Sequence, residues 1–116
     1  MKYFTLDEFD SPDHKGSGIN MDSSFLELLN NAREIAGIPF KITSGYRTEN
    51  HNKKVGGVSN SSHLNGFAAD IAIGSGQERY IVLNALIKAG FKRLGIAKTF
   101  IHCDTDISKS NSVWTY

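Results

Sequence analysis

The chain has 116 residues and a mass of 12.8 kDa, with 40% hydrophobic and 22% charged residues, which suits one globular domain over residues 1–116. Such a chain buries about two thirds of its unfolded surface and needs no disulfide to stand, and its one cysteine, Cys103, has no internal partner. A formal net charge of +1 gives no electrostatic case for nucleic acid, and no apolar run is long enough for stable membrane insertion.

In chain order, "YFTLDEF" at 3–9 carries three aromatics, and "DSPDHKGSG" at 10–18 is turn-rich. Asp22 is placed to cap a helix whose apolar residues Phe25, Leu28, Leu29, Ala32, Ile35 and Ala36 recur at helical spacing. Gly37 and Pro39 end it. "FKITS" at 40–44 alternates as a strand does, with Phe40 and Ile42 on one face. A polar connection follows from Gly45 to Asn65, with one helical turn expected near Glu49–Lys54. A connection of that length is uncommon in a compact domain unless it has functional work.

"ADIAI" at 69–73 is a second strand, and Ile81, Leu83, Ala85, Leu86 and Ala89 mark a second helix ending at Gly90. "FKRLGIAK" and "FIHCDTD" are two further strands joined around Thr99, and Val113–Tyr116 add a short terminal one. Helices and strands without a regular βαβ repeat predict an α+β fold.

The chemistry-bearing residues are separated along the chain. His63 and Asp70 flank Gly66 in "SSHLNGFAADI", and His102 in "FIHCD" is the best third member. Strand alternation puts His102 and Asp104 on one face, Ile101 and Cys103 on the other. Two imidazoles and a carboxylate make a reasonable zinc shell with a fourth position for water. A polar-loop histidine and an aspartate at a strand start explain the same residues without a metal. His14, in a turn, and His51, among Asn and Lys, are weaker candidates. Gly66 suits a turn or close approach, and Trp114 with Tyr116 reads better as core than as a rim for glycan.

Three ordered motifs, "SGYR" at 44–47, "SSHLNGFAADI" at 61–71 and "FIHCD" at 100–104, resemble those of the zinc D-Ala-D-Ala carboxypeptidase-like peptidases of peptidoglycan, peptidase M15, in its small single-domain and phage-associated branches. The resemblance covers roughly residues 4–106. It implies a small antiparallel sheet with packed helices around an open zinc cleft, of the hedgehog and D-Ala-D-Ala peptidase kind. It carries the zinc ligands onto His63, Asp70 and His102, and gives Arg47 a substrate carboxylate or carbonyl oxygen to hold, which a guanidinium can grip with two donors. Tyr46 either lines the cleft or packs.

The implied activity is zinc-dependent hydrolysis of peptidoglycan stem peptides, as carboxypeptidase, endopeptidase or endolysin, by a monomer. Many relatives place an acid three residues before the last zinc histidine, where this chain has Thr99. Asp104 is therefore the expected general base, or else a support for the His102 ring, with Asp106 and Glu49 next in line. The alternative is a zinc-containing wall-binding or phage structural domain without turnover. No signal peptide is evident in "MKYFTLDEF", so synthesis in the cytoplasm and phage-mediated access to the wall are expected.

Overall fold

The computed structural model describes residues 1–116. Three α-helices, α1 (Ser23–Ala36), α2 (Glu49–Lys54) and α3 (Gly76–Ala89), accompany five strands: β1 (Ile42–Ser44), β2 (Ala68–Ala72), β3 (Arg93–Ile96), β4 (Phe100–Asp104) and β5 (Ser112–Thr115). No helix is long and apolar enough to cross a membrane.

The helix ends follow their cap residues. The Asp22 carboxylate accepts the Phe25 N–H at 2.9 Å and starts α1, which stops at Gly37 with φ at 70°. Ser75 caps α3 through the Glu78 N–H, and Gly90 ends it at φ 112°. Along α1 the buried stripe is Phe25, Leu26, Leu29 and Ala32, with Ala36 packed against the core, whereas Ile35, one residue off that row and so turned about 100° round the helix, is 47% exposed. The 45–65 connection is less irregular than its composition suggests. It contains α2, capped by Thr48, and a short 3-10 turn over Ser62–Asn65.

The strands form one sheet in the order β1-β2-β4-β3-β5. All neighbours are antiparallel except β3 and β5, which run parallel, so the sheet is mixed rather than wholly antiparallel. The chain reverses between β3 and β4 and again over residues 105–111, and it then passes to the far side of β3, so two reversals restore the β3 direction.

One face of this sheet supplies Ala69, Ile71, Leu94, Ile101 and Cys103 to a core shared with Phe25, Leu29, Val82 and Leu86 of α1 and α3. The other face is polar. A single register row crosses it: Ser44 pairs with Asp70, Asp70 with His102, His102 with Gly95, and Gly95 with Trp114. The next row places Ala68, Asp104, Arg93 and Ser112 side by side. Period-two alternation thus sends the apolar residues into the core and the chemistry to the opposite side.

Candidate metal centre

His63 reaches this row from the 3-10 turn. Ser61 accepts the His63 backbone N–H, and Gly66, at φ 76°, closes the turn where any Cβ would lie 2.3 Å from the Asn20 carbonyl oxygen. Gly45 is equally constrained, since a Cβ there would come within 2.7 Å of Phe9 Cα. That close packing sets the Gly45 carbonyl 2.7 Å from His63 Nδ1, and the Arg47 N–H donates to the His63 carbonyl at 3.1 Å. The glycines at 45 and 66 therefore fix where the imidazole points.

A carbonyl oxygen can only accept, so His63 donates from Nδ1 and in its neutral form carries a lone pair on Nε2. That nitrogen faces Asp70 Oδ1 at 3.4 Å. His102 Nδ1 lies 3.0 Å from the same oxygen, and its Nε2 lies 2.7 Å from Asp104 Oδ2. His63, Asp70 and His102 are each at most 7% exposed, and their donor atoms lie within 4.8 Å of one another. A neutral His63 thus points a lone pair at a carboxylate, and a neutral His102 has one N–H for two carboxylates. A cation among the three converts these acceptor–acceptor contacts into ligation, so the donor set fits a metal ion. A nitrogen-rich shell of this kind suits zinc better than calcium or magnesium, which favour oxygen ligands.

Burial works against charge on Asp70, but the hydrogen bonding and charge of His102 and His63 outweigh it and hold the carboxyl well below the usual carboxylate range. For His102 burial favours the neutral ring, and the carboxylates of Asp104 and Asp70 overcome this and raise its pKa above 6.5. Asp104 is 1% exposed and its pKa is lowered, burial being outweighed by His102. Its Oδ1 accepts Arg93 Nε–H at 2.8 Å and the Asp106 N–H at 3.1 Å.

Arg47 stands beside the triad. Its Nη2 is 3.5 Å from Asp70 Oδ2, so Asp70 turns one oxygen to the histidines and the other to the guanidinium. The cleft over these residues has a volume of about 380 Å³. Val55, Val58, Phe100, Trp114 and Tyr116 supply its hydrophobic lining. Trp114 and Tyr116 are therefore cleft residues and not core. Gly95 explains this: a Cβ there would sit 2.6 Å from Trp114 Nε1, so only glycine lets the indole lie over β3, 5.4 Å from the His102 ring. The Arg93 guanidinium stacks on the same indole at 5.0 Å.

The remaining candidates lie elsewhere. Asp106 accepts from Ser62 and Ser108 and faces Lys109 at 3.6 Å; together with Glu49 and Tyr46 it lines an adjoining polar hollow. Tyr46 also packs against the core. Thr99 is exposed in the β3–β4 turn, and neither His14 nor His51 joins the triad. Arg93 and Asn52, both in contact with site residues, carry no sequence signal beyond strand parity for the first.

A sequence profile of the family described as Peptidase M15 matches residues 2–104, nearly the whole chain. Comparison with curated proteins gives no match.

Proposed function

The chain belongs to the peptidase M15 family, and from that premise we propose that it is a zinc peptidase cutting the stem peptides of bacterial peptidoglycan, at or near D-Ala. The observation that carries the reading is the convergence of His63 Nε2 and His102 Nδ1 on one oxygen of Asp70. These three residues would hold the zinc. A zinc ion bound there supplies Lewis acidity toward water and a peptide carbonyl.

The chain's own residues do the rest. Asp70, kept ionised by its neighbours, supplies the negative charge of the shell. The Gly45 carbonyl fixes His63 with Nε2 free to ligate, and Asp104 does the same for His102 by accepting its Nε2–H. This position supports orientation of His102 over general-base work, because a proton on Oδ2 would compete with the His102 N–H and one on Oδ1 with the Arg93 and Asp106 donors. Arg47, 14% exposed at the edge of the triad, engages a substrate carboxylate or carbonyl oxygen. Trp114 packs over β3 beside His102 as one wall of the cleft, with the exposed Tyr116 at its rim.

One observation favours the second reading, a wall-binding domain without turnover. Neither carboxylate lining the cleft stands free as a base: Asp104 has both oxygens engaged by protein donors, and Asp70 has one oxygen on Arg47 and the other turned to the two histidines of the metal site. Digestion of purified peptidoglycan by zinc-loaded protein, with mass analysis of the released ends, separates the two. New amine and carboxylate ends identify the bond cut, and binding without release supports the second reading.

A further inference from the structure

Arg47 is held by more than Asp70. Its Nε–H donates to Ser44 Oγ at 3.0 Å and its Nη1 donates to Asn52 Oδ1 at 3.2 Å. With Nη2 on Asp70 Oδ2, each guanidinium nitrogen has one anchor, and one hydrogen remains uncommitted on each of Nη1 and Nη2. A guanidinium fixed at all three nitrogens with two donors left over is prepared for a two-oxygen ligand such as a carboxylate.

Asn52 is the unexpected anchor. It lies on α2 and is only 3% exposed, although it belongs to the polar run "ENHNKK". Both ends of its amide are used: Oδ1 accepts from Arg47, and Nδ2 donates to the Val58 carbonyl at 2.9 Å. Its backbone carbonyl accepts the Gly57 N–H at 2.8 Å. A Cβ on Gly57 would come within 2.0 Å of Asn52 Oδ1 and 3.1 Å of Arg47 Nη1, so the bare glycine makes room for this contact. Burying an amide so fully is favourable only with its partners in place.

We propose that Asn52 is a positioning residue that orders the Arg47 guanidinium for a substrate carboxylate, with Gly57 as the residue that permits the contact. The substrate half of this statement rests on the role given to Arg47 above; the ordering half does not. Without Asn52, the planar guanidinium keeps only Ser44 and the longer 3.5 Å contact to Asp70, so it is less restrained as a unit, and a carboxylate meets a group that must first be ordered.

Two measurements test it on the full, zinc-loaded chain. Nitrogen relaxation at the Arg47 Nε–H reads side-chain order directly. Asn52→Ala lowers that order, whereas Asn52→Asp, which keeps an acceptor for Nη1 and loses only the donor to Val58, retains it. If Asn52→Ala does not fold, Gly57→Ala displaces the amide and gives the same loss of order. Steady-state kinetics then compare an acyl-D-Ala-D-Ala peptide with its C-terminal carboxamide. Asn52→Ala raises KM for the free acid roughly tenfold, as loss of a charge-assisted contact does, and leaves kcat and the carboxamide KM nearly unchanged. Arg47 as ordered in Asn52→Ala as in the parent overturns the proposal. So does equal loss of order in Asn52→Ala and Asn52→Asp, which would trace the effect to the Val58 loop. If Arg47→Ala itself leaves the free-acid KM unchanged, the substrate role of Arg47 fails, and relaxation still decides whether Asn52 orders it.

Discussion

His102 and Asp104 sit two residues apart on β4 with Nε2 and Oδ2 separated by 2.7 Å, while the other nitrogen of the same ring faces Asp70 at 3.0 Å. The imidazole is thus clamped between a carboxylate on its own strand and one on β2. This makes Asp104 part of the apparatus that aims His102. Asp104→Asn is expected to lower zinc affinity and activity together, by about 10–100-fold. Parallel titrations of zinc binding and turnover check this. Full zinc affinity with abolished turnover would instead make Asp104 the base.

Gly95 and Trp114 are directly opposite on the parallel pair β3–β5, and the indole occupies the space a side chain at 95 would fill. Gly95→Ala should displace the ring from His102 and destabilise the fold by about 1–3 kcal/mol, the usual cost of overpacking. Trp114 is the chain's only tryptophan, so its fluorescence reports the cleft wall without interference. A shift in emission is expected for Gly95→Ala, together with a lower denaturation midpoint. Unchanged emission and midpoint would mean the indole does not depend on the glycine.

The pH dependence of the metal-free protein follows from opposed shifts. His102 is raised above 6.5, so its contribution to stability is complete below that value and is lost as pH rises through the folded-state pKa. Asp70 and Asp104 are lowered below 3.8, so theirs is complete above that value and is lost as pH falls through their folded-state values. Chelated protein should therefore be most stable in mildly acidic solution and weaken as pH rises through the folded-state pKa of His102. Zinc-loaded protein should behave oppositely on the acid side, because protons compete with the metal for the histidine nitrogens. Thermal melts across pH, with and without chelator, read both trends.

Arg47→Ala should leave zinc content close to the parent, because it removes no ligand, at a stability cost of about 1–3 kcal/mol for the buried Asn52 Oδ1 left without its donor. The loss falls on substrate: about 2–5 kcal/mol of turnover efficiency for a buried charged contact. Unchanged kinetics over several stem peptides would remove the substrate role.

Much of this was legible in the sequence because two kinds of signal are local. Asp22 and Gly37 bounded α1 and Gly90 ended α3, and strand parity put His102 and Asp104 opposite Ile101 and Cys103. The ordered motifs placed His63, Asp70, His102 and Arg47 together, which spacing alone could not do. What escaped depends on long-range register. Only the pairing of Gly95 with both His102 and Trp114 brings the terminal aromatics to the cleft, so they read as core from composition. The parallel course of β5 likewise depends on which side of β3 the chain passes. Asn52 was invisible because its polar helix offers no periodicity, and its burial comes from Gly57 folding over it.

Zinc bound per chain after equilibrium dialysis, measured for the parent and for His63→Ala and His102→Ala, tests the central claim most directly. The account predicts one zinc per parent chain, marked loss in both variants, and a zinc-dependent rise in melting temperature confined to the parent. Variants that retain a full equivalent of zinc at parental affinity, or a folded parent that binds none, would contradict it.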